Sequence, residues 1–309
     1  MVMRGLYFDT ATLYYRAFFA VPESIVAPDG SPSGAVRGFL DMVSTLHQQF
    51  PSEVVVFAWD DDWRPQWRVD LVPSYKTHRL ENVDELGISI EEVPDALSPQ
   101  VEAIAGILDA IGLPRIGEMG FEADDILGSL VDQYDISADV VTGDRDLFQL
   151  VDDGADVRVI SITKGVKKLE VFDDQALVDK YGIVGHHYAD FSLLRGDASD
   201  GLPGVKGIGE KTAAKLISEH KTVVALLDAA NDETSSLAPA VRKKLIVSSD
   251  YIHAATQVVR TRTDASLPGI TELPKEVHSP EMLGQLVDQW GITRQVERLL
   301  KTMQIAWVR

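Results

Sequence analysis

The chain is organised around the stretch Gly120-Phe121-Glu122-Ala123-Asp124-Asp125, which is soon followed by Thr142-Gly143-Asp144-Arg145-Asp146. Apolar residues after Glu122 recur at three-to-four spacing, which predicts a helix that places Glu122 and Asp125 one turn apart on the same side. The second stretch follows a β-branched run and is expected at the carboxyl end of a strand, where ligands of open α/β sheets bind. Carboxylates that converge raise each other's pKa, so such a site requires hard divalent cations.

The composition describes a globular protein with a sizeable core. Of the 309 residues, 45% are apolar and 25% are charged, which is enough for one large domain or two ordinary ones. The absence of cysteine excludes disulfides and thiolate metal sites. Charged residues appear early and no apolar run is long enough to span a membrane, which predicts a soluble, cytoplasmic protein without a secretory signal.

The net charge does not by itself favour a nucleic-acid partner. With 29 Lys and Arg against 48 Asp and Glu, the chain carries −19, whereas nucleic-acid-binding domains are usually basic. The distribution of charge matters more than its sum, because a cleft can be locally positive on an acidic protein and carboxylates that hold metal ions lose their net charge. Composition therefore does not decide whether the partner is a nucleic acid.

Two more predicted strands also end in acids. Residues 5–8 form a short apolar run before Asp9, and residues 54–59 form a longer one before Asp60. Asp9 in isolation could equally be a helix N-cap, but acids at the ends of successive strands indicate a shared site. The alternation of strands and helices predicts an α/β fold with a mostly parallel sheet, helices on both faces and an edge hairpin over residues 157–172. From residue 174 onward the pattern is helical.

The stretch from residue 64 to 79 is the most basic part of the amino-terminal half. Cations alternate there with aromatic residues, a combination that suits phosphates and stacked bases. The alternative is a solvated helix with half-buried aromatic side chains. Residues 82–94, which follow, are acidic and weakly patterned, and we expect them to be mobile. The residues that alternate are Trp63, Arg64, Trp67, Arg68, Tyr75, Lys76 and Arg79.

A glycine-rich turn forms a second centre of interest. Two acids precede it and could join the first cluster, and its glycines let the backbone present N–H groups at the start of a helix over residues 211–219, an arrangement that binds phosphate. A nucleotide-binding Walker A loop is a poor match, because Glu210 intrudes before Lys211 and no strand directly precedes the loop. The acids and glycines are Asp197, Asp200, Gly204, Gly207 and Gly209.

Together the acids indicate two-metal phosphodiester hydrolysis. Two cations about 4 Å apart can activate a water, orient the scissile phosphate and stabilise the leaving oxygen. The basic stretch and the glycine turn would hold the rest of a nucleic acid away from the acids that repel it. The candidate metal ligands are Asp9, Asp60, Glu122, Asp124, Asp125, Asp144, Asp146, Asp197 and Asp200.

The sequence closely resembles the 5′ nuclease family, which comprises flap endonucleases and the N-terminal 5′-3′ exonuclease domain of bacterial DNA polymerase I. The matching motifs cover nearly the whole chain in the family's order. Each acid pair is weak evidence alone, but the series with the glycine turn is highly specific. The motifs are Tyr15-Arg16-Ala17-Phe18, Tyr75-Lys76 with Arg79, residues 121–125, residues 142–147, and residues 196–200 continuing through residues 204–212.

The resemblance implies a fold and a division of the chain. It implies a PIN-like α/β nuclease core over residues 1–175, with a helical arch or clamp over the active site at residues 64–94. It also implies a helical region over residues 176–309, packed on the core. A helix-three-turn-helix element at residues 196–220 would grip duplex DNA there, in the family often with a potassium ion.

The resemblance also implies roles for single residues. Eight of the nine candidate ligands, all except Asp60, match by position the family's metal-binding acids, which hold two or more Mg²⁺ or Mn²⁺ ions. Four cations match residues that contact the substrate phosphates as part of the catalytic site, and Tyr75 matches a stacking aromatic. These cations are Arg16, Arg68, Lys76 and Arg79. The residues expected at duplex DNA are Tyr75, Lys206, Gly207, Gly209, Lys211 and Thr212.

The sequence departs from the family's pattern in two places. Thr10 stands where glycine usually follows the acid that Asp9 matches, and Trp59-Asp60 replaces Phe-Asp and is followed by further acids. The metal ligand there could be Asp60 or Asp61. We favour Asp60, because a rigid strand end holds a ligand better than the loop beyond it.

The resemblance implies a stand-alone, monomeric bacterial nuclease, cytoplasmic and nucleoid-associated, since no polymerase module follows Arg309. Its substrates would be branched, 5′-flap and RNA-primed DNA, in replication and repair, alongside DNA polymerase and ligase. One alternative is a degenerate relative that binds branched DNA without cutting it, although every acid position is filled. Another is an acidic protein-interaction module, which would explain the charge but not the order of motifs.

Overall fold

The computed structural model describes residues 4–83 and 89–307. None of the helices in these two ranges is long and apolar enough to cross a membrane. The strands are β1 (Arg4–Asp9), β2 (Val54–Ala58), β3 (Leu80–Val83), β4 (Ser89–Glu91), β5 (Arg115–Ile116), β6 (Ser137–Thr142), β7 (Val157–Ser161) and β8 (Glu170–Phe172). The helices are α1 (Thr10–Ala20), α2 (Gly34–Gln49), α3 (Gln66–Leu71), α4 (Ser98–Ile111), α5 (Ala123–Gln133), α6 (Asp174–Tyr181), α7 (Tyr188–Arg195), α8 (Glu210–His220), α9 (Val223–Asn231), α10 (Pro239–Val247), α11 (Ser249–Val258), α12 (Pro280–Trp290) and α13 (Thr293–Met303).

Six strands form one sheet in the order β5-β2-β1-β6-β7-β8. Neighbours are parallel except β7 and β8, which form the antiparallel edge hairpin expected from the sequence. Asp9 pairs with Ala58, and Phe8 pairs with Val141, so the ends of β1, β2 and β6 lie side by side. The predicted α/β fold with a mostly parallel sheet is confirmed, and its register brings the acids that end these strands to one edge.

Each inner strand sends alternate side chains to opposite faces of the sheet, as the two-residue period of a strand requires. Tyr7 and Val56 are buried on one face, in a core shared with α5 and the helices from α7 to α11. Phe8 and Phe57 are buried on the other face among α2, α4, α12 and α13, with their ring centroids 5.0 Å apart. Because the inner strands are covered on both sides, their sequences are almost continuously apolar.

The last two helices return to the amino-terminal part of the chain. α13 packs against α2, and α12 packs against α4; the Arg298 guanidinium lies 3.0 Å from Asp41 across the first of these contacts. The described part of residues 176–309 carries no strand of the sheet, as predicted. Because its final helices belong to the core of the first half, the boundary between residues 175 and 176 stays a prediction.

The segment from residue 64 to 94 differs from the helical arch that the resemblance implies. Among its described residues, α3 and a single 3₁₀ turn are helical, and the hairpin of β3 and β4 follows them. α3 is short because Pro65 starts it and Pro73 lies just beyond it. Lys76 then adopts a left-handed backbone conformation, with φ 47°, which turns the chain away from a helix. Residues 84–88, part of the stretch predicted to be mobile, lie outside the described residues.

The glycine turn between α7 and α8 packs against the basic segment. A Cβ on Gly201 would lie 2.1 Å from the carbonyl oxygen of Ser74, and the Ser74 hydroxyl donates to the Gly201 carbonyl at 2.8 Å. Gly204, with φ +68°, approaches Gly196 so closely that a Cβ would lie 2.6 Å from the backbone nitrogen of Gly196. The turn expected at residues 196–220 therefore depends on close backbone approach that only glycine allows.

Replacing Gly204 by alanine should destabilise the protein strongly, because the new Cβ would meet backbone atoms of Arg195 and Gly196. Gly182→Ala is the matched control, since Gly182 also has a positive φ (+78°) but open space where its Cβ would lie. We expect a loss of about 1 kcal/mol for the control and about 1–3 kcal/mol more for Gly204→Ala, measured as the free energy of unfolding in urea. Equal losses would contradict this packing.

Candidate active site

Asp9 caps helix α1 and also enters the acid cluster. Its carboxylate accepts hydrogen bonds from the backbone nitrogen of Thr12 at 3.2 Å and from the Thr142 hydroxyl at 2.6 Å. Since Thr142 ends β6, this second bond ties two strand ends together. The side chain is only 5% exposed and lines the cleft at the carboxyl edge of the sheet. The two alternatives considered for Asp9, N-cap and cluster member, are both observed.

Asp60 is the acid after β2 that faces the cluster. It accepts a hydrogen bond from the backbone nitrogen of Ala123 at 2.8 Å, which fastens it to the start of α5. Burial, and to a smaller extent Glu122, raise the pKa of Asp60 to about 7 although Lys76 opposes the shift. Asp61 is exposed and points elsewhere, with its carboxyl atoms 2.6–2.9 Å from where a Cβ of Gly117 would lie. Of the two candidates, Asp60 lies at the cleft.

Glu122, the residue before α5, is held by three side chains. The Tyr75 hydroxyl donates to it at 2.9 Å, the Arg68 guanidinium lies 3.1 Å away, and the Lys76 ammonium pairs with its other oxygen. Burial alone would raise the pKa of Glu122, but Lys76 and Arg68 outweigh it and hold the pKa below its ordinary value. Glu122 lines the cleft, yet both its oxygens already have partners. Its role as a metal ligand stays a prediction.

Asp125 does not join the cluster. It is fully buried, and its oxygens accept hydrogen bonds from both terminal nitrogens of Arg68, at 2.7 and 2.9 Å, and from the backbone nitrogen of Arg262 at 2.8 Å. Glu122 and Asp125 do point the same way, as predicted, but toward Arg68, one terminal nitrogen of which lies 2.9 Å from Asp125 and 3.1 Å from Glu122. Asp125 folds back to the Glu122 backbone and completes a capping box. It anchors Arg68 instead of facing a metal.

Two residues predicted to touch DNA lie in the interior. Arg68 is 3% exposed and also donates to the Val258 carbonyl at 3.2 Å, so the prediction that it contacts a substrate phosphate is wrong. Tyr75 is likewise 3% exposed, and its ring is not accessible to a base, so its predicted stacking role is wrong too. Basic and aromatic residues alternate in this segment because one side of it packs over Glu122 and Asp125 at the start of α5.

Lys76 and Arg79 place their charged groups in the cleft. Burial disfavours the charge on Lys76, but Glu122 and other acids outweigh it and raise the pKa of Lys76 well above its ordinary value. Arg79 donates to the Ser199 carbonyl at 3.0 Å and lies 3.7 Å from Asp200. Both side chains are therefore cations beside the acid cluster.

Asp124, Asp144 and Asp146 carry the uncompensated negative charge of this site. Burial, and then Asp144 and Asp9, raise the pKa of Asp124 well above its ordinary value. Burial and Asp144 do the same to the pKa of Asp146, and burial raises the pKa of Asp144. Such shifts mean that the ionised carboxylates are desolvated and repel one another. A bound cation would remove that repulsion.

Asp197 and Asp200, which precede the glycine turn, lie at the same site. Burial, and to a smaller extent Asp144, raise the pKa of Asp200 to about 6 although Lys76 opposes the shift. Asp197 accepts hydrogen bonds from Arg195 at 2.9 Å and from the backbone nitrogen of Ser199 at 2.8 Å. Seven of the nine candidate acids, all except Glu122 and Asp125, thus surround one region at the carboxyl edge of the sheet.

Two adjoining cavities of about 480 and 600 Å³ open onto five of these acids, namely Asp9, Asp60, Asp124, Asp144 and Asp197. Thr12, Tyr15, Phe19 and Asp144 line both of them. Across residues 4–83 and 89–307, no three acidic or histidine side chains are already arranged around a single metal position. The donor atoms are nevertheless carboxylate oxygens with excess negative charge, which suit hard divalent ions. The site therefore fits such ions in charge and donor type.

Arg16 lies in the larger cavity. Three further residues at or near the cavities were not among the predicted site residues. Arg16 donates to the Thr163 carbonyl at 2.9 Å. Arg145 lines the same cavity, Thr142 holds Asp9, and Glu91 of the hairpin lines the smaller cavity. The sequence could have indicated Arg145 as a site residue, because it lies between Asp144 and Asp146. Nothing in the sequence indicated Glu91, because only the packing of the hairpin brings it to the cleft.

The residues predicted to grip duplex DNA are exposed around the start of α8. They surround the N-terminus of α8, whose first residues are exposed, and a helix N-terminus is a favourable place for a phosphate. The carbonyl of Gly207 accepts a hydrogen bond from the Lys244 ammonium at 2.8 Å, so a second helix adds a cation here. Since that carbonyl is taken, a potassium ion at this turn stays a prediction. The exposed residues are Lys206, Gly207, Gly209, Lys211 and Thr212.

Two family models together match most of the chain. The model described as 5′-3′ exonuclease, N-terminal resolvase-like domain, matches residues 5–182, and the model described as 5′-3′ exonuclease, C-terminal SAM fold, matches residues 183–280. Among solved structures, the bacteriophage T5 D15 flap endonuclease in a pseudo-enzyme-product complex with DNA and metal ions is similar in fold. It has a TM-score of 0.64 at 17% identity, and the match covers 97% of this chain and 99% of that one.

Curated relatives are similar along the full chain. A 5′-3′ exonuclease of Streptomyces coelicolor is 48% identical over 296 residues, which cover 96% of this chain and 98% of the relative. A 5′-3′ exonuclease of Mycobacterium tuberculosis is 44% identical, with 96% of each chain covered. DNA polymerase I of Mycobacterium bovis is 37% identical over 77% of this chain and 25% of the polymerase. With two family models and full-length relatives in agreement, this chain belongs to the 5′-3′ exonuclease family.

Proposed function

We propose that this exonuclease cuts the phosphodiester bonds of branched, 5′-flap and RNA-primed DNA in a reaction that depends on divalent metal ions. The observation that carries the proposal is the juxtaposition of Asp124 and Asp144, whose pKa values are raised by burial, with the cations Lys76 and Arg79 in one cleft. Such a cluster repels a phosphate unless cations fill it, and the adjoining lysine and arginine supply the groups that a phosphate would contact.

Seven of the nine predicted acids are proposed to hold two or more Mg²⁺ or Mn²⁺ ions. When bound, such ions supply a water activated for attack and stabilise the charge on the leaving oxygen. Glu122 is proposed to act mainly through Lys76, and Asp125 through Arg68, because cations occupy both oxygens of each. Asp197 differs, since Arg195 pairs with only one of its oxygens. The proposed ligands are Asp9, Asp60, Asp124, Asp144, Asp146, Asp197 and Asp200.

The cations of the cleft would position the scissile phosphate. Lys76 is fixed by Glu122 and Arg79 by the Ser199 carbonyl, so each presents its charge without having to be ordered when substrate binds. Arg16 would contact a neighbouring phosphate in the adjoining cavity, where Arg145 lies with it. Positive charge on both sides of the acids would hold the sugar-phosphate backbone across them.

The glycine turn would hold the duplex at a distance from the chemistry. Lys206, Lys211 and the N–H groups at the start of α8 offer contacts to phosphates that carry no sequence information. The contact between Gly201 and Ser74 links this turn to the segment that carries Lys76. A duplex gripped at α8 would therefore be placed in a fixed relation to the cleft, which is how branched structure could be recognised.

We also propose a role for this nuclease in replication and repair. The similarity to DNA polymerase I supports removal of RNA primers and flaps in replication and repair, with polymerase and ligase as functional partners. The protein is proposed to act as a cytoplasmic, nucleoid-associated monomer. A relative that binds branched DNA without cutting it is not favoured, because all nine acids are present. The test is the release of a short 5′ product from a labelled flap substrate on addition of magnesium.

Asp124→Asn should abolish flap cleavage and, without metal, stabilise the protein. A carboxyl group whose pKa is raised by folding lowers stability at pH values above its unfolded pKa. Removing the charge at pH 7 should therefore raise the melting temperature of the metal-free protein and leave DNA binding intact or tighter. Magnesium should stabilise the variant less than the wild type.

Asp61→Asn is the matched control, since Asp61 is an exposed acid at the same sheet edge that points away from the cleft. It should cut flap DNA at the wild-type rate and show the wild-type melting temperature with and without magnesium. An Asp124→Asn protein that cuts near the wild-type rate would remove Asp124 from the metal site.

Lys76→Ala and Lys206→Ala should affect different steps. Loss of Lys76 should slow the single-turnover cleavage rate, by about a hundredfold or more, with little change in affinity, because its ammonium acts at the scissile phosphate. Loss of Lys206 should weaken duplex binding and lower the slope of log affinity against log salt by about one. Lys301→Ala, on α13, serves as the control for charge alone. A Lys76→Ala protein altered only in affinity would contradict this division.

A further inference from the structure

Phe19 is an exposed aromatic residue at the junction of the two cavities. Its side chain is 75% exposed, whereas every other Phe, Tyr and Trp in residues 4–83 and 89–307 is buried or half-buried. The ring lines both the 480 Å³ and the 600 Å³ cavity. A large apolar ring left in water beside a site of this kind indicates a ligand with an apolar face.

The ring is carried by a rigid support. Phe19 lies in the last turn of α1, which Asp9 caps at its other end and which packs along α2. The Phe18 ring stands edge-on to it, with the centroids 5.2 Å apart. The platform is therefore preformed, and a ligand that covers it does not have to order the helix first.

The charges around Phe19 determine which part of a nucleotide can face it. Lys76 and Arg79 lie in the smaller cavity, and Arg16 and Arg145 in the larger, so phosphates have cations on both sides of the ring. Asp144, shared by both cavities, repels phosphate from the middle. The group left to meet Phe19 is the base, whose flat face suits an aromatic ring.

We propose that Phe19 is the platform on which the unpaired base next to the scissile phosphate stacks. This inference rests on the proposed function and assigns to Phe19 the role that the sequence suggested for Tyr75, which is buried under Glu122. Tyr15 also lines both cavities, but it is half-buried and its hydroxyl bonds to Glu91. Stacking on an aromatic ring tolerates any base, so Phe19 would position the strand without selecting a sequence.

The test compares flap substrates that carry either a normal nucleotide or an abasic residue beside the cleavage site. For the wild type and for Phe19→Trp, removal of the base should lower kcat/KM about tenfold to a hundredfold, the usual effect of one stacked base. For Phe19→Ala the normal substrate should already show that loss, and removal of the base should cause no further change. Met282→Ala, an exposed apolar side chain on α12, should behave as the wild type.

Equal sensitivity of the wild type and Phe19→Ala to the missing base would overturn the inference. So would an unchanged Phe19→Ala enzyme on all DNA substrates, which would leave the ring as a surface for a protein partner. If equal sensitivity came with a lower rate of Phe19→Ala on both substrates, the ring would have a structural role instead.

A measurement without cleavage separates this inference from the proposed function. Full-length protein is mixed with flap DNA that carries 2-aminopurine beside the cleavage site, in EDTA, and the fluorescence of the probe is followed. The wild type should quench the probe by stacking, and Phe19→Ala should not. Quenching without any cleavage in magnesium would disprove the proposed reaction and keep the platform, whereas cleavage with identical fluorescence in both proteins would do the opposite.

Discussion

The buried guanidinium of Arg68 is the interaction on which the geometry of this site depends. It joins Asp125 and Glu122 at the start of α5 to the Val258 carbonyl at the end of α11. Removing one partner from a buried pair of this kind typically costs about 3–5 kcal/mol, because a charge is left without compensation. The network thereby fixes α3 against the sheet edge, and Lys76, a few residues further along, is delivered into the cleft.

Next to this satisfied network lies a group of acids whose charges are not balanced. Asp60 and Asp200 have raised pKa values of about 7 and about 6, and the pKa values of Asp124 and Asp146 are also raised well above their ordinary values. Proteins keep such locally unfavourable arrangements where function needs them, at some expense of stability. The two groups of acids lie next to each other: Glu122 is paired with cations, whereas the next acid, Asp124, belongs to the unbalanced cluster.

The distribution of charge reconciles a net charge of −19 with a nucleic-acid substrate. Cations lie at the two places where the nucleic acid is proposed to bind, the cleft with Lys76 and Arg79 and the turn with Lys206 and Lys211. The field at a cleft depends on the groups that line it more than on the total charge, and metal ions held by the acids would add positive charge there. Acidic residues on the rest of the surface would also repel nucleic acid there.

The sequence by itself determined the parallel sheet, the acids at its carboxyl edge and the glycine turn. Continuous apolar runs such as residues 54–58 identify buried strands, parallel strands bring their ends to one edge, and the close approach at Gly204 admits only glycine. Tertiary structure alone decided which side chains face that edge. Asp125 turns back to cap its helix, Tyr75 and Arg68 are drawn inward by Glu122, and Phe19 is left in solvent, because partners distant in sequence compete for each polar group and spacing along the chain does not reveal which of them wins.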